Sequence, residues 1–144
     1  ENCRRVTSKF HFTYILILHI LCSLNLNLEK LMTISYKNLD VYKAATKFLA
    51  ISIELTGKIP RGHGPLVDQL RRASLSIPLN IAEASQKNSR ADGARFFSIA
   101  RGSAMECSAI LDALEIMKLG DEIKIQEGTT ILERIVAMLS KLCR

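Results

Sequence analysis

Tryptophan is absent from this sequence, and aromatic residues make up only 6% of it. Leu, Ile and Ala carry the apolar content instead, a composition that favours helices. From Met32 onward no alternation of apolar and polar residues is sustained over a useful length, so strands are not expected. The four cysteines, Cys3, Cys22, Cys107 and Cys143, show no C-x-x-C spacing. They read as reduced packing residues of a cytoplasmic protein, not as a disulfide framework.

Signatures of catalysis are missing too. A di-metal site in a helical bundle needs Glu-x-x-His motifs that project inward. Here Ala-Ser-Gln follows Glu83 and Cys-Ser-Ala follows Glu106, while His11, His19 and His63 lie outside the predicted helices of the fold. No metal or other cofactor is expected. The loop 61-RGHGP-65 has two glycines, but no strand precedes it and no Gly-Lys-Ser/Thr follows. It reads as a turn with a solvated His63, not a phosphate cradle. Cys107 sits on an apolar stripe, where packing is the default role of a thiol. Glu83 and Glu106 could serve as an acid/base pair. The plainer expectation is that they pair with Arg95 or Arg101 in or beside the core. No catalytic constellation emerges, so neither an enzyme nor a small-molecule substrate is expected.

What is present is material for one domain. The chain has 144 residues, about half of them apolar, which suffices for a single core. Its formal charge is +6. A basic chain favours an acidic partner, either nucleic acid or anionic lipid. The bland alternative is a soluble protein kept apart by its own charge.

The sequence begins with Glu1, and its first Met is Met32. Upstream, Arg4, Arg5 and Lys9 precede the apolar run Tyr14–Cys22, in the order of a signal peptide. The run is too short to cross a bilayer comfortably, and it contains His19. No small-x-small cleavage site follows. Residues 1–31 are therefore read as upstream translation or an apolar extension, and 32–144 as the domain. A membrane protein anchored by Tyr14–Cys22 is the competing reading. Residues 32–144 hold 16 Lys and Arg against 12 Asp and Glu, a net of +4, so the basic character belongs to the domain.

Four amphipathic segments follow. The first spans about 38–56, with Val41, Ala44, Ala45, Phe48, Ile51 and Leu55 apolar and Gly57 as its stop. The second is 66-LVDQLRRASLSIPLNIAEAS-85. The third spans about 90–118, with Ser89 as N-cap and Asp92 in its first turn. Its stripe is Phe96, Ile99, Ala100, Ser103, Cys107, Ile110, Leu111 and Leu114, and Gly102 is expected at a close backbone contact. The fourth starts near Asp121, after Gly120. Short connections between long helices imply an all-α, antiparallel up-down four-helix bundle.

The second segment is unusual. Val67, Leu70, Ser74, Ile77, Ile81 and Ala84 form a heptad seam that faces the core. At 100° per residue, Leu75 and Leu79 lie about 120–180° away from it. An outward apolar pair implies a second interface, most simply with another copy of the chain. Otherwise the two leucines cover loop or helix-end surface within one protomer. Pro78 withdraws one N–H, worth about 3 kcal/mol at an exposed mid-helix position. A kink or a restart of the helix is expected there, with Ser74 or Ser76 helping to satisfy the freed groups.

Charge is polarised along the chain. Residues 58–101 hold eight basic side chains, including Arg71, Arg72, Lys87, Arg90 and Arg101, against Asp68, Glu83 and Asp92. Residues 106–134 hold seven acids against Lys118, Lys124 and Arg134. A basic region of this kind suits a polyanion, and equally suits head-to-tail contact between subunits. No aromatics interleave with the arginines, so contact would be to phosphate and selective for shape.

The blocks 69-QLRRASLSIPLNIAEAS-85 and 96-FFSIARGSAMEC-107, with 38-NLDVYKAATKFLAISIELT-56, resemble the small proteins encoded in intervening sequences of bacterial 23S rRNA genes, often labelled S23 ribosomal proteins. The resemblance covers about 34–142 and begins just after Met32. It implies a helical bundle that assembles into a ring-like homopentamer. It also implies similarity to the accessory proteins of diversity-generating retroelements, which are basic bundles that engage nucleic acid and a reverse transcriptase. The family's molecular function is unsettled, and its ribosomal label reflects gene location. Two departures stand out: Ala84 where the family usually has Gly, and 90-RADGARFF-97, where Gly93 is expected to weaken the start of the third helix. The resulting expectation is a non-enzymatic homo-oligomer that binds structured RNA or DNA through Arg71, Arg72, Lys87, Arg90 and Arg101, with Leu75 and Leu79 at the subunit interface. The alternative is a protein-interaction scaffold whose Arg pair bridges subunits.

Overall fold

Four helices are spaced by short turns, as the apolar periodicity predicts. The computed structural model describes residues 35–144. The readings placed on residues 1–31, on Met32 and on Tyr14–Cys22 lie outside the described residues. A 3₁₀ turn, Ser35–Asn38, leads into α1 (Asp40–Lys58), α2 (Gly64–Ser85), α3 (Arg90–Ile116) and α4 (Glu122–Leu142). Each helix packs on its two neighbours in the cycle α1–α2–α3–α4–α1.

Cross-helix contacts fix the directions. Lys47 pairs with Glu127, Lys124 with Glu54, and Lys58 with Asp121. As numbering rises on α1 it falls on α4, so the two run antiparallel. Ser52 meets Ser74 and Thr56 meets Arg71, which gives the same sense to α1 and α2. Ser103 meets Ser76 and Glu106 meets Gln69, which gives it to α2 and α3. The core closes around Phe48, Leu55, Leu70, Ile77, Ile81, Leu111, Leu114, Leu132, Ile135 and Leu139, all fully buried.

Local chemistry sets the helix ends. Gly57 does not stop α1, contrary to expectation: the helix continues to Lys58. The stop is Pro60, which pushes Ile59 into an extended conformation (ψ 130°). Pro65 sits in the first turn of α2, where its missing N–H costs nothing. Ser89 caps α3 as predicted, accepting from the Asp92 amide at 3.1 Å. Asp121 caps α4, accepting from the amides of Ile123 and Lys124. The end of α3 is a Schellman turn: Leu119 N–H reaches Leu114 O at 2.8 Å and Lys118 N–H reaches Glu115 O at 3.0 Å. Lys118 occupies its left-handed position at φ 54°, where glycine is usual.

Several packing expectations need correction. Gly102 makes no close contact; a Cβ there would meet nothing within 4 Å. The close approaches are at Gly93, where a Cβ would lie 3.3 Å from Ala84 O, and at Gly128, where it would lie 3.1 Å from Leu111 Cδ1. Gly93 therefore seats the start of α3 against the end of α2. The buried stripe of α3 runs through Ala100, Ala104, Cys107, Ile110, Leu111 and Leu114, while Ile99 is 43% exposed.

Helix α2 runs through Pro78 without interruption, and Pro78 itself is buried. The neighbouring hydroxyls serve other partners. Ser74 Oγ lies 2.9 Å from Ser52 Oγ, and each is also within reach of a carbonyl three residues back. Ser103 Oγ donates to Ser76 Oγ at 2.9 Å, which also accepts from Asn80 Nδ2 at 3.0 Å. These paired hydroxyls join α2 to α1 on one flank and to α3 on the other.

Candidate nucleic-acid interface

The five basic residues singled out from the sequence do not share one patch. Arg71 and Arg72 lie two turns into α2 and are exposed. Arg71 Nε donates to Thr56 Oγ1 of α1 at 3.3 Å. Arg72 donates to the Gln69 side-chain carbonyl, and the Gln69 amide donates to the Glu106 carboxylate of α3. The pair thus reaches both neighbouring helices from the surface of α2. Arg101 lies half-buried midway along α3.

Lys87 and Arg90 stand apart from these. At 1.5 Å per residue the end of α2 lies roughly 20 Å along the bundle from Arg72. Lys87 follows the last turn of α2, pairs with Glu83, and places its ammonium 4.7 Å from the Phe96 ring centroid. Such a cation–π contact holds the side chain over the α2–α3 turn. Arg90 opens α3, and its Nη2 donates to the main-chain oxygen of Arg144 at 3.1 Å.

The antiparallel path of α4 brings two further cations here. Lys141 and Arg144 line the same open cleft as Lys87 and Arg90, a space of about 300 Å³. Sequence reasoning missed both, because they lie more than fifty positions from Lys87. The signal was available in the topology: an up-down bundle must return its fourth helix to the α2–α3 turn.

The acids are placed differently from expectation. Glu83 and Glu106 pair with neither Arg95 nor Arg101. Both are exposed, one against Lys87 and the other against Gln69. The carboxylates that are held tightly lie on the α1–α4 seam. Hydrogen bonds from Lys47 and Lys124 hold the Glu127 carboxyl below its usual range. The Lys124 backbone amide, and then Lys58, do the same for Asp121. Cys107 is buried in the core, and loss of solvation, aided by the nearby Glu106 charge, pushes its thiol up to about 12. Among the described residues no group of three His, Cys, Asp or Glu could hold a metal ion. No described helix is long and apolar enough to cross a membrane.

No described helix covers the outward leucines. Leu75 is 48% and Leu79 59% exposed, so no described loop or helix end of the protomer covers them. The Ser52–Ser74 contact sets Ile53, itself 60% exposed, level with Leu75. Together the three form an apolar strip across the outer side of α1 and α2.

Comparison with known proteins places this architecture. A solved protein of unknown function from the S23 ribosomal protein family of Bacteroides thetaiotaomicron superposes with a TM-score of 0.66. The superposition covers 72% of this chain and 98% of that one, at 23% sequence identity. This likeness establishes the all-helical bundle fold. Among curated proteins none matches the chain. Residues 37–141, which take in all four helices, match the 23S rRNA-intervening sequence proteins, and the chain belongs to that family.

Proposed function

We propose that this protein is a non-enzymatic, oligomeric four-helix bundle that binds structured nucleic acid through its phosphates. The observation that carries the reading is the run of cations along α2, the α2–α3 turn and the first half of α3, in separate groups along the bundle, with Arg71, Arg72, Lys87, Arg90 and Arg101 as the candidate contacts. Phosphate contact needs no preformed pocket and no aromatic platform, which suits side chains spread over a helical surface. Several copies would join through the exposed strip of Leu75, Leu79 and Ile53, in the manner of the ring-like homopentamer that the resemblance implies. Such an array would present the basic surface repeatedly along a polyanion.

The test is a fluorescence-anisotropy titration of the full chain onto a structured RNA hairpin at low and near-physiological salt. Binding with log K falling steeply against log salt is the expected result. Absence of binding even at low salt would sink the reading.

One observation favours a second reading, a protein-interaction scaffold. Arg71 and Arg72 are engaged with Thr56 and Gln69 within their own chain. On that reading the pair braces α2 for contact with a protein partner. Reversal of both charges would then disturb assembly or stability and leave any RNA binding unchanged.

A further inference from the structure

We infer that the cleft between the α2–α3 turn and the end of α4 is the seat of a backbone phosphate of the bound nucleic acid. The inference rests on the nucleic-acid reading above and assigns it a place. Three separate stretches of chain deliver cations to this cleft: Lys87 after α2, Arg90 at the start of α3, and Lys141 with Arg144 at the end of α4. Among the described residues no aspartate or glutamate lines it, and Ser89 adds a hydroxyl. Four basic residues gathered around one concave space repel one another unless an anion joins them. That cost is offset in part by Glu83 beside Lys87 and by the Arg144 main-chain oxygen, which Arg90 already engages at 3.1 Å. The guanidinium is therefore poised toward oxygen acceptors inside the cleft, and a phosphate offers two such acceptors to an arginine fork.

The arginine pair on α2 differs in kind. Arg71 and Arg72 each give one donor to a neighbour, Thr56 and Gln69, on a convex helix surface.

The full chain is titrated onto the RNA hairpin in three further forms. These are Lys141→Glu, the double variant Arg90→Gln with Lys141→Glu, and, as a control outside the cleft, Arg134→Glu at an exposed position of α4. The expected result is a roughly tenfold loss of affinity for the cleft double variant, with the slope of log K against log salt falling by about 2. The single Lys141→Glu variant is expected to lower the slope by about 1. The Arg134→Glu control should change neither by a comparable amount. Lys141 is exposed, so its single variant keeps the test readable if circular dichroism shows that loss of Arg90 disturbs folding. Wild-type affinity and salt slope in Lys141→Glu and in the folded double variant would overturn the cleft assignment while the nucleic-acid reading stands. No binding by the unsubstituted chain at either salt would overturn both.

Discussion

Single residues divide into those held by their neighbours and those with room to spare. Gly128 is held: a β-carbon there would press on Leu111 and lie in contact with Phe48 and Ile51. Gly128→Val is expected to cost roughly 1–3 kcal/mol by overpacking. Gly102 has room and sits exposed inside a helix. Gly102→Ala should stabilise the fold by about 1 kcal/mol, and urea unfolding of both variants checks the pair. Composition could not rank these glycines, because crowding is a property of the neighbouring helix. Cys107 follows the same logic. Its buried thiol, pushed up to about 12, should resist iodoacetamide at neutral pH in the folded protein. Peptide mass mapping should find it alkylated only after denaturation; rapid native labelling would contradict the buried placement.

At the scale of the element, helix ends carry the testable detail. Lys118 holds a left-handed conformation at the Schellman turn. Lys118→Gly is expected to raise stability by roughly 0.5–1 kcal/mol, since relief of backbone strain outweighs the added freedom of the unfolded chain. An unchanged or lowered melting midpoint would argue against that turn. Asp121, the N-cap of α4, has its carboxyl held below the ordinary range by the Lys124 amide and then by Lys58. A depressed carboxyl favours the folded state above its unfolded value, near 3.9. That contribution is lost as pH falls through the lower folded value. Asp121→Asn should therefore flatten the acid limb of a stability-against-pH profile and leave its neutral-to-basic limb unchanged in shape. Helix identity and caps were legible because they depend on residues within one turn. The end of α1 was misjudged at Gly57 because a helix tolerates glycine in its last turn, whereas Pro60 forces the stop.

For the whole molecule, the exposed strip of Leu75, Leu79 and Ile53 is where the proposal seats a second copy. Substitution of Leu75 and Leu79 by Glu together should yield a monomer in sedimentation velocity with helical content intact. A single small species already present in the unsubstituted chain would remove the oligomer from the proposal. The seam between α1 and α4 is tied by Lys47, Glu54, Lys124 and Glu127. Exposed pairs of this kind add little stability, but here they agree with the antiparallel register.

The sequence by itself determined the four helices, their antiparallel order, most of the buried stripe and the outward pair Leu75 and Leu79. All of these follow from periodicity, which is local and repeats every three or four residues. Only the tertiary structure decided which cations meet. Lys87, Arg90, Lys141 and Arg144 come together because α4 returns beside the α2–α3 turn. Arg71 and Arg72, much nearer to Lys87 in sequence, lie roughly 20 Å away along the bundle. Charge along a chain is additive, but a binding surface depends on distance, and distance between helices is set by how the core closes.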